Sequence, residues 1–241
     1  MDYLDFIGNI RFRFIKPHTP IIPIRCCRYT QGLRIAFFLE VLNTRLAYRE
    51  REIRSVLRRI CGVPKMSTFA IGALINQAVS QMPENQAFVN VGVWHGFTLL
   101  SGMANNDHKR CIGVDNFTEF GRPREAFLER FNHHKGPEHF FHKMDYVDYF
   151  SEVHNEPIGF YIYDGNHNYD SQLVGLKVAE PFLSENSIIL IDDANYDMVR
   201  ESTKDYISDS SYEYEVVLDQ NTFCNYHPTF WNGVIVLQRV K

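Results

Sequence analysis

The stretch from Ile158 to Asn195 constrains the fold most. An apolar run, Ile158 to Tyr163, ends in Asp164-Gly165; a segment of helical period follows from Tyr169 to Leu183; a second apolar run, Ser187 to Ile191, ends in Asp192-Asp193. Short, nearly continuous runs rich in Ile and aromatics are the pattern of strands buried on both faces of a parallel sheet. Parallel strands joined by a helix bring their carboxyl ends to one edge, where open α/β folds bind ligands. Asp164, Asp192 and Asp193 are therefore expected to meet in one crevice.

Three carboxylates that close together repel, and the usual remedies are a shared proton or a hard cation such as Mg²⁺ held through oxygen. His167 follows the first Asp by three residues and suits proton abstraction near neutral pH. These residues predict a metal site with an adjacent base. Taken one at a time, Asp164, Asn168, Asp170 and Asp193 also read as ordinary turn and helix-cap residues.

Upstream, Ser67 or Thr68 can cap a helix that runs through Ile71, Leu74 and Val79 to about Pro83. A strand from Ala87 then passes through Gly92-Val93-Trp94-His95-Gly96 into a helix, and the two glycines allow backbone to approach a ligand at the helix N-terminus. The next strand, Arg110 to Val114, ends in Asp115. That is where nucleoside-binding sheets place a carboxylate for the ribose hydroxyls, although a helix cap is an equal reading. A helix from Arg124 and a strand, His139 to Lys143, lead to Met144-Asp145; the histidines His133, His134, His139 and His142 fit no metal-ligand spacing and are expected at surface and edge positions. After the central unit come a helix, Tyr196 to Ile207, and two strands, Tyr214 to Leu218 and Gly233 to Val240. No helix separates those two, so they are expected to pair antiparallel. The aromatic loop between them, Asp219 to Asn232, carries Cys224, His227 and Trp231 and is expected to cover a substrate or fill the core edge.

The first 65 residues differ from the rest. Ile10 to Ile15 alternates like a short strand, Pro17, Pro20 and Pro23 punctuate an extended stretch, and Gln31 to Ile60 reads as one long or two shorter helices, ended by Cys61-Gly62-Val63-Pro64. Residues 1–65 carry a net charge of +8 and residues 66–241 carry −12, recovering the net −4 of the chain. The division predicts a basic, largely helical extension on a 66–241 domain, and a basic arm on an acidic core suits a homo-oligomer. Nucleic-acid binding is not expected, because Arg45 to Arg59 are interleaved with Glu50 and Glu52 and no nucleic-acid motif accompanies them. No apolar run reaches the ~20 residues of a membrane span and the first residues are acidic, so the chain is expected to be cytoplasmic. Five cysteines, Cys26, Cys27, Cys61, Cys111 and Cys224, without paired spacing point to reduced thiols.

Together, the glycine turn Gly92 to Gly96, Asp115-Asn116-Phe117, Asp145, Asp164-Gly165-Asn166-His167-Asn168-Tyr169 and Ile191-Asp192-Asp193 resemble a class I S-adenosylmethionine-dependent methyltransferase. More narrowly, they are similar to the macrocin O-methyltransferase family, and the layout also looks like catechol O-methyltransferase. The resemblance spans about residues 66–240. It implies a Rossmann-like α/β fold whose seven-stranded, mostly parallel sheet ends in an antiparallel hairpin. It further implies that Asn90, Gly92, Val93, Trp94 and Gly96 bound the methionine part of S-adenosylmethionine, Asp115 and Asn116 the ribose, and Asp145 the adenine. Asp164, Asp192 and Asp193 would hold Mg²⁺ or another divalent cation, with Asp164 also beside the cofactor and His167 as base. The acceptor implied is a sugar, glycoside or similar small molecule. Two departures stand out: Asn90 replaces an acid usual in relatives, and His167 lies in a loop one residue longer than their Asp-Gly-Asp-x-Tyr form. Asn90 and the unusual first segment motivate a rival expectation, a non-catalytic protein of the same fold that binds a partner through that basic segment.

Overall fold

The structure, a computed structural model, describes residues 2–21, 32–46 and 51–240. Seven strands form the central sheet: β3 (Ala87–Val91), β4 (Arg110–Val114), β5 (His139–His142), β6 (Ile158–Tyr163), β7 (Leu183–Asp192), β8 (Tyr214–Gln220) and β9 (Val234–Arg239). Their spatial order is β5-β4-β3-β6-β7-β9-β8. Only β9 runs against its neighbours, so the sheet is mostly parallel with a terminal antiparallel hairpin, as the spacing predicts.

Alternation along each strand sorts side chains to two cores. Phe88, Phe160, Ile162, Ile188 and Leu190 face a layer built from α4 (Phe69–Gln81), α5 (Phe97–Met103) and α6 (Arg124–His134), while Val89, Val91, Tyr161, Tyr163, Ile189 and Ile191 face α8 (Tyr169–Ala179) and α9 (Asp197–Asp209). With both faces covered, β6 is buried at every position, which explains its unbroken apolar run.

The chain runs outward from β3 through β4 to β5, then returns to place β6 on the other side of β3. The strand order therefore reverses between β3 and β6, and a crevice at their carboxyl ends follows. The strands approach so closely there that a Cβ on Gly92, at φ +78°, would lie 2.0 Å from the Asp164 carbonyl oxygen. Only glycine fits.

Several boundaries differ from expectation. α8 ends at Ala179, a 3₁₀ turn covers Glu180–Phe182, and β7 begins at Leu183 rather than Ser187. Pro181 explains the break: it supplies no N–H to an α-helical ladder, and its place near the start of the 3₁₀ turn needs none. Within residues 1–65, the alternation at Ile10–Ile15 yields only the two-residue β1 (Arg11–Phe12), paired with β2 (Thr44–Arg45), and α1 (Tyr3–Asn9) precedes it unheralded. The helical stretch is two helices, α2 (Gly32–Asn43) and α3 (Arg51–Ile60). Tyr3, Phe6, Ile7 and Leu57 bury into the same core as Phe69 and Leu74, so apolar packing fastens this segment to the sheet. A buried ion pair assists: Glu40 accepts from Lys65 Nζ at 2.7 Å and from the Phe69 N–H at 2.9 Å, at the first turn of α4. Among the cysteines, Cys61, Cys111 and Cys224 are free thiols, while Cys26, Cys27 and Pro23 lie outside the described residues. Of the four histidines, His133 and His134 end α6 while His139 and His142 lie on β5, the edge strand of the sheet; His139 is buried there, with Nε2 3.2 Å from the Asn106 carbonyl. Among the described residues no helix is long and apolar enough to cross a membrane.

Candidate active site

The turn after β3 is held from the neighbouring strand. Asp115, at the end of β4, accepts the Val93 and Trp94 N–H groups on Oδ2, each at 2.9 Å, and the Phe117 N–H on Oδ1 at 2.6 Å. These bonds hold Trp94 in the left-handed region, φ 46°, and aim the turn into α5, whose first helical residue follows Gly96. The cap reading of Asp115 fails, because residue Pro123 precedes α6. Asn116 continues the chain of contacts, its Nδ2 donating to Asp145 Oδ2 at 3.3 Å, and Asp145 Oδ1 accepts from the Val147 N–H. Asp145 is thus the cap of α7 (Tyr146–Asp148), as well as a partner of Asn116. Asn90 is fully buried; its amide donates weakly to the Val91 and Gly92 carbonyls, and its Oδ1 has no partner.

The indole of Trp94 donates to the Phe120 carbonyl at 2.8 Å, and together with Met66, His95, Gly121 and Pro123 these residues line a cavity of about 360 Å³ beside the turn. A smaller cavity, about 200 Å³ between Arg110, Phe140, His142 and Tyr149, contains none of the candidate residues.

Across the crevice, Asp164, His167, Asp192 and Asp193 come together. His167 Nε2 lies 3.6 Å from Asp164 Oδ1 and 3.5 Å from Asp193 Oδ2, ion-pair distances rather than good hydrogen bonds. Its Nδ1 is 3.4 Å from Gln172 Oε1. Asp193 sits at φ 58° and accepts from Asn232 Nδ2 at 2.7 Å, whereas Asp192 is buried with an Oδ1 that has no partner. None of these acids caps a helix; Asn168 caps α8 instead, and Tyr196 precedes α9.

Burial pushes the carboxyls of Asp164 and Asp193 up, and it pushes Asp192 furthest, aided by the charges of Asp193 and Asp164. Burial alone would discharge His167, but the nearby Asp164 carboxylate and the charges of Asp193 and Asp192 overcome it and carry the imidazole up to about 9. At neutral pH the ring is the cation of the cluster. Among the described residues no group of three or more His, Cys, Asp or Glu is placed to hold a metal ion. His167 stands between two of the carboxylates that would have to converge.

Asn232 was not singled out by sequence reasoning, and nothing local could have revealed it. It lies 39 residues beyond Asp193 in an irregular loop.

Residues 89–194 match the family model described as a methyltransferase domain. No curated protein matches the chain by sequence. A protein from Corynebacterium glutamicum superposes with a TM-score of 0.57 at 15% identity, covering 86% of this chain and 96% of that one. An O-methyltransferase from Bacillus cereus, in complex with S-adenosylhomocysteine, gives 0.54 at 12% identity over 82% and 92% of the two chains. A protein provisionally assigned as a caffeoyl-CoA O-methyltransferase, from Staphylococcus aureus, gives 0.55 at 11% identity over 80% and 93%. At such identities the likeness is one of fold, and the fold is that of the class I S-adenosylmethionine-dependent methyltransferases.

Proposed function

We propose that this chain transfers a methyl group from S-adenosylmethionine to a hydroxyl of a sugar or similar small molecule. The observation that supports it most is the meeting, across the Gly92–Asp164 contact, of a backbone-lined turn and an acid and imidazole cluster. The cofactor's methionine part would lie against Asn90, Gly92, Val93, Trp94 and Gly96, with the unpartnered Asn90 Oδ1 available to an ammonium donor. Asp115 and Asn116 would meet the ribose and Asp145 the adenine amino group. Residues 1–65 form, in this proposal, an extension that completes the acceptor side of a 66–241 domain.

In the reaction the acceptor oxygen attacks the methyl carbon, the carbon–sulfur bond breaks, S-adenosylhomocysteine leaves, and the hydroxyl proton goes to His167 Nε2. Holding the two reactants in line lowers the barrier by roughly 7 to 11 kcal/mol in well-oriented systems. Asp164, Asp192 and Asp193 are hard oxygen donors, Asp192 Oδ1 is orphaned, and in this proposal the three would hold Mg²⁺ once the imidazole between Asp164 and Asp193 gave way. Bound there, Mg²⁺ supplies charge that lowers the pKa of an acceptor hydroxyl and orients it. His167 accepts the proton only when its own is gone, and a cation held by Asp164, Asp192 and Asp193 would offset the charges that raise the imidazole, so turnover rises with pH.

Calorimetric titration of S-adenosylmethionine, with Mg²⁺ and then with chelator, tests this. Micromolar binding, with a metal effect that emerges once an acceptor hydroxyl is added, is the expected result. Absence of binding in both conditions would sink the assignment.

A further inference from the structure

Two exposed phenols flank the acid cluster on loops that the proposed chemistry has not used. Tyr196 follows Asp193 by three residues, its N–H donating to the Asp193 carbonyl at 3.0 Å, and its side chain is 37% exposed. Tyr226, on the loop between β8 and β9, is 47% exposed. Asparagines lace these loops together. Asn195 Nδ2 donates to Asn225 Oδ1 at 3.0 Å, and the Asn195 N–H donates to the Asn232 carbonyl at 2.6 Å. Asn232 then grips both sides: its Nδ2 donates to Asp193 Oδ1 at 2.7 Å, and its Oδ1 accepts the Tyr226 N–H at 2.8 Å. Tyr196 and Tyr226 are the chain neighbours of the bonded pair Asn195–Asn225, on either side of a bracket that ends on Asp193.

The Tyr226 ring is held in place as well as displayed. Trp231 braces Tyr226 edge-on, with centroids 5.1 Å apart and planes at 82°. The Tyr196 phenol lies within electrostatic reach of Asp193 and of Tyr226. Large amphipathic rings left part-exposed beside hydrogen-bonding groups suit a ligand with one flat apolar face and a polar edge. Three neighbouring carboxylates disfavour an anionic one.

We propose that Tyr196 and Tyr226 form the platform for the acceptor, an uncharged, hydroxylated six-membered ring whose apolar face rests on the phenols while its hydroxyl edge meets Asp193 and His167. This rests on the methyltransferase proposal for the chemistry, but not for the binding. A pyranose and a phenol share the required surface.

Saturation-transfer NMR on the full chain, with methyl glycopyranosides in one set of samples and catechols in another, distinguishes the two sources. The platform is supported if one class binds and Tyr226→Ala or Tyr196→Ala weakens it about three- to tenfold, while the Phe variants bind like the parent. It is overturned if neither class binds, or if the alanine variants bind as well as the parent. S-adenosylmethionine titrated into the same samples should bind equally in every variant, which also verifies folding. Ring binding lost in alanine variants that melt like the parent, in a protein that binds no S-adenosylmethionine, would refute the methyltransferase activity and still support the platform.

Discussion

The two sides of the crevice are built in opposite ways. On the side of β3 and β4, Asp115 spends its charge on three backbone N–H groups at 2.6 to 2.9 Å, and the turn from Gly92 to Gly96 is complete without a ligand. On the side of β6 and β7, three carboxylates are pushed up by burial, two of them held by one imidazole at 3.5 to 3.6 Å, with Asp192 Oδ1 unpartnered. The first side is preorganised and electrically quiet. The second is under electrostatic tension that a bound cation and an acceptor would relieve.

The sharpest way to break this comparison is to remove a charge from the tense side alone. Asp164→Ala and His167→Ala should abolish turnover, a general base being worth roughly 10²- to 10⁴-fold, while leaving much of the S-adenosylmethionine affinity in His167→Ala. Steady-state rates with calorimetry in parallel check this; unchanged turnover in either variant removes that residue from the chemistry. Gly92→Ala attacks the quiet side. With φ at +78° and a carbonyl 2.0 Å from the new Cβ, it should lower stability by about 3 kcal/mol or more and weaken the cofactor, measurable by chemical denaturation.

The pH dependence of stability sharpens the contrast further. The folded pKa of His167 is raised to about 9 from 6.5, so its contribution is fully present below pH 6.5 and is lost as pH rises through about 9. The raised carboxyls act in the same sense from about pH 4 upward, since the folded state holds their protons longer. In chelator, Tm should fall between pH 6.5 and 9, and His167→Gln should flatten that fall; an identical slope in the variant would mean that the imidazole is not the cluster's cation. The smallest effect is expected at the bracket: Asn232→Ala removes hydrogen bonds to Asp193 and Tyr226 and should lower stability by about 1 to 2 kcal/mol. A larger loss in catalysis than in stability would locate its role in placing Asp193.

Much of the scaffold was legible because burial on two faces writes itself into composition. β6 and the apolar core of β7 were recognisable from their short runs rich in Ile, Leu and aromatics, and the absent helix between β8 and β9 announced the hairpin. α1 was not legible, being only seven residues with an Asp2 cap that resembles any acidic start. The early start of β7 was hidden because Ser184, Glu185 and Asn186 are polar residues in a strand that pairs at Leu183 before its buried run begins.

By itself, the sequence determined which acids stand at strand ends, because a two-residue period and strand length place Asp115, Asp164 and Asp192 at the carboxyl edge whatever the packing. It also determined that position 92 is glycine where two strand ends touch. Only the tertiary structure decided what each acid does. Asp115 became a scaffold for the turn, Asp145 a cap, Asp192 a buried carboxylate with one oxygen unpartnered, and His167 a cation between Asp164 and Asp193. Those roles depend on distances between residues far apart in the chain, such as Asn232 and Asp193, and on desolvation that no local pattern encodes.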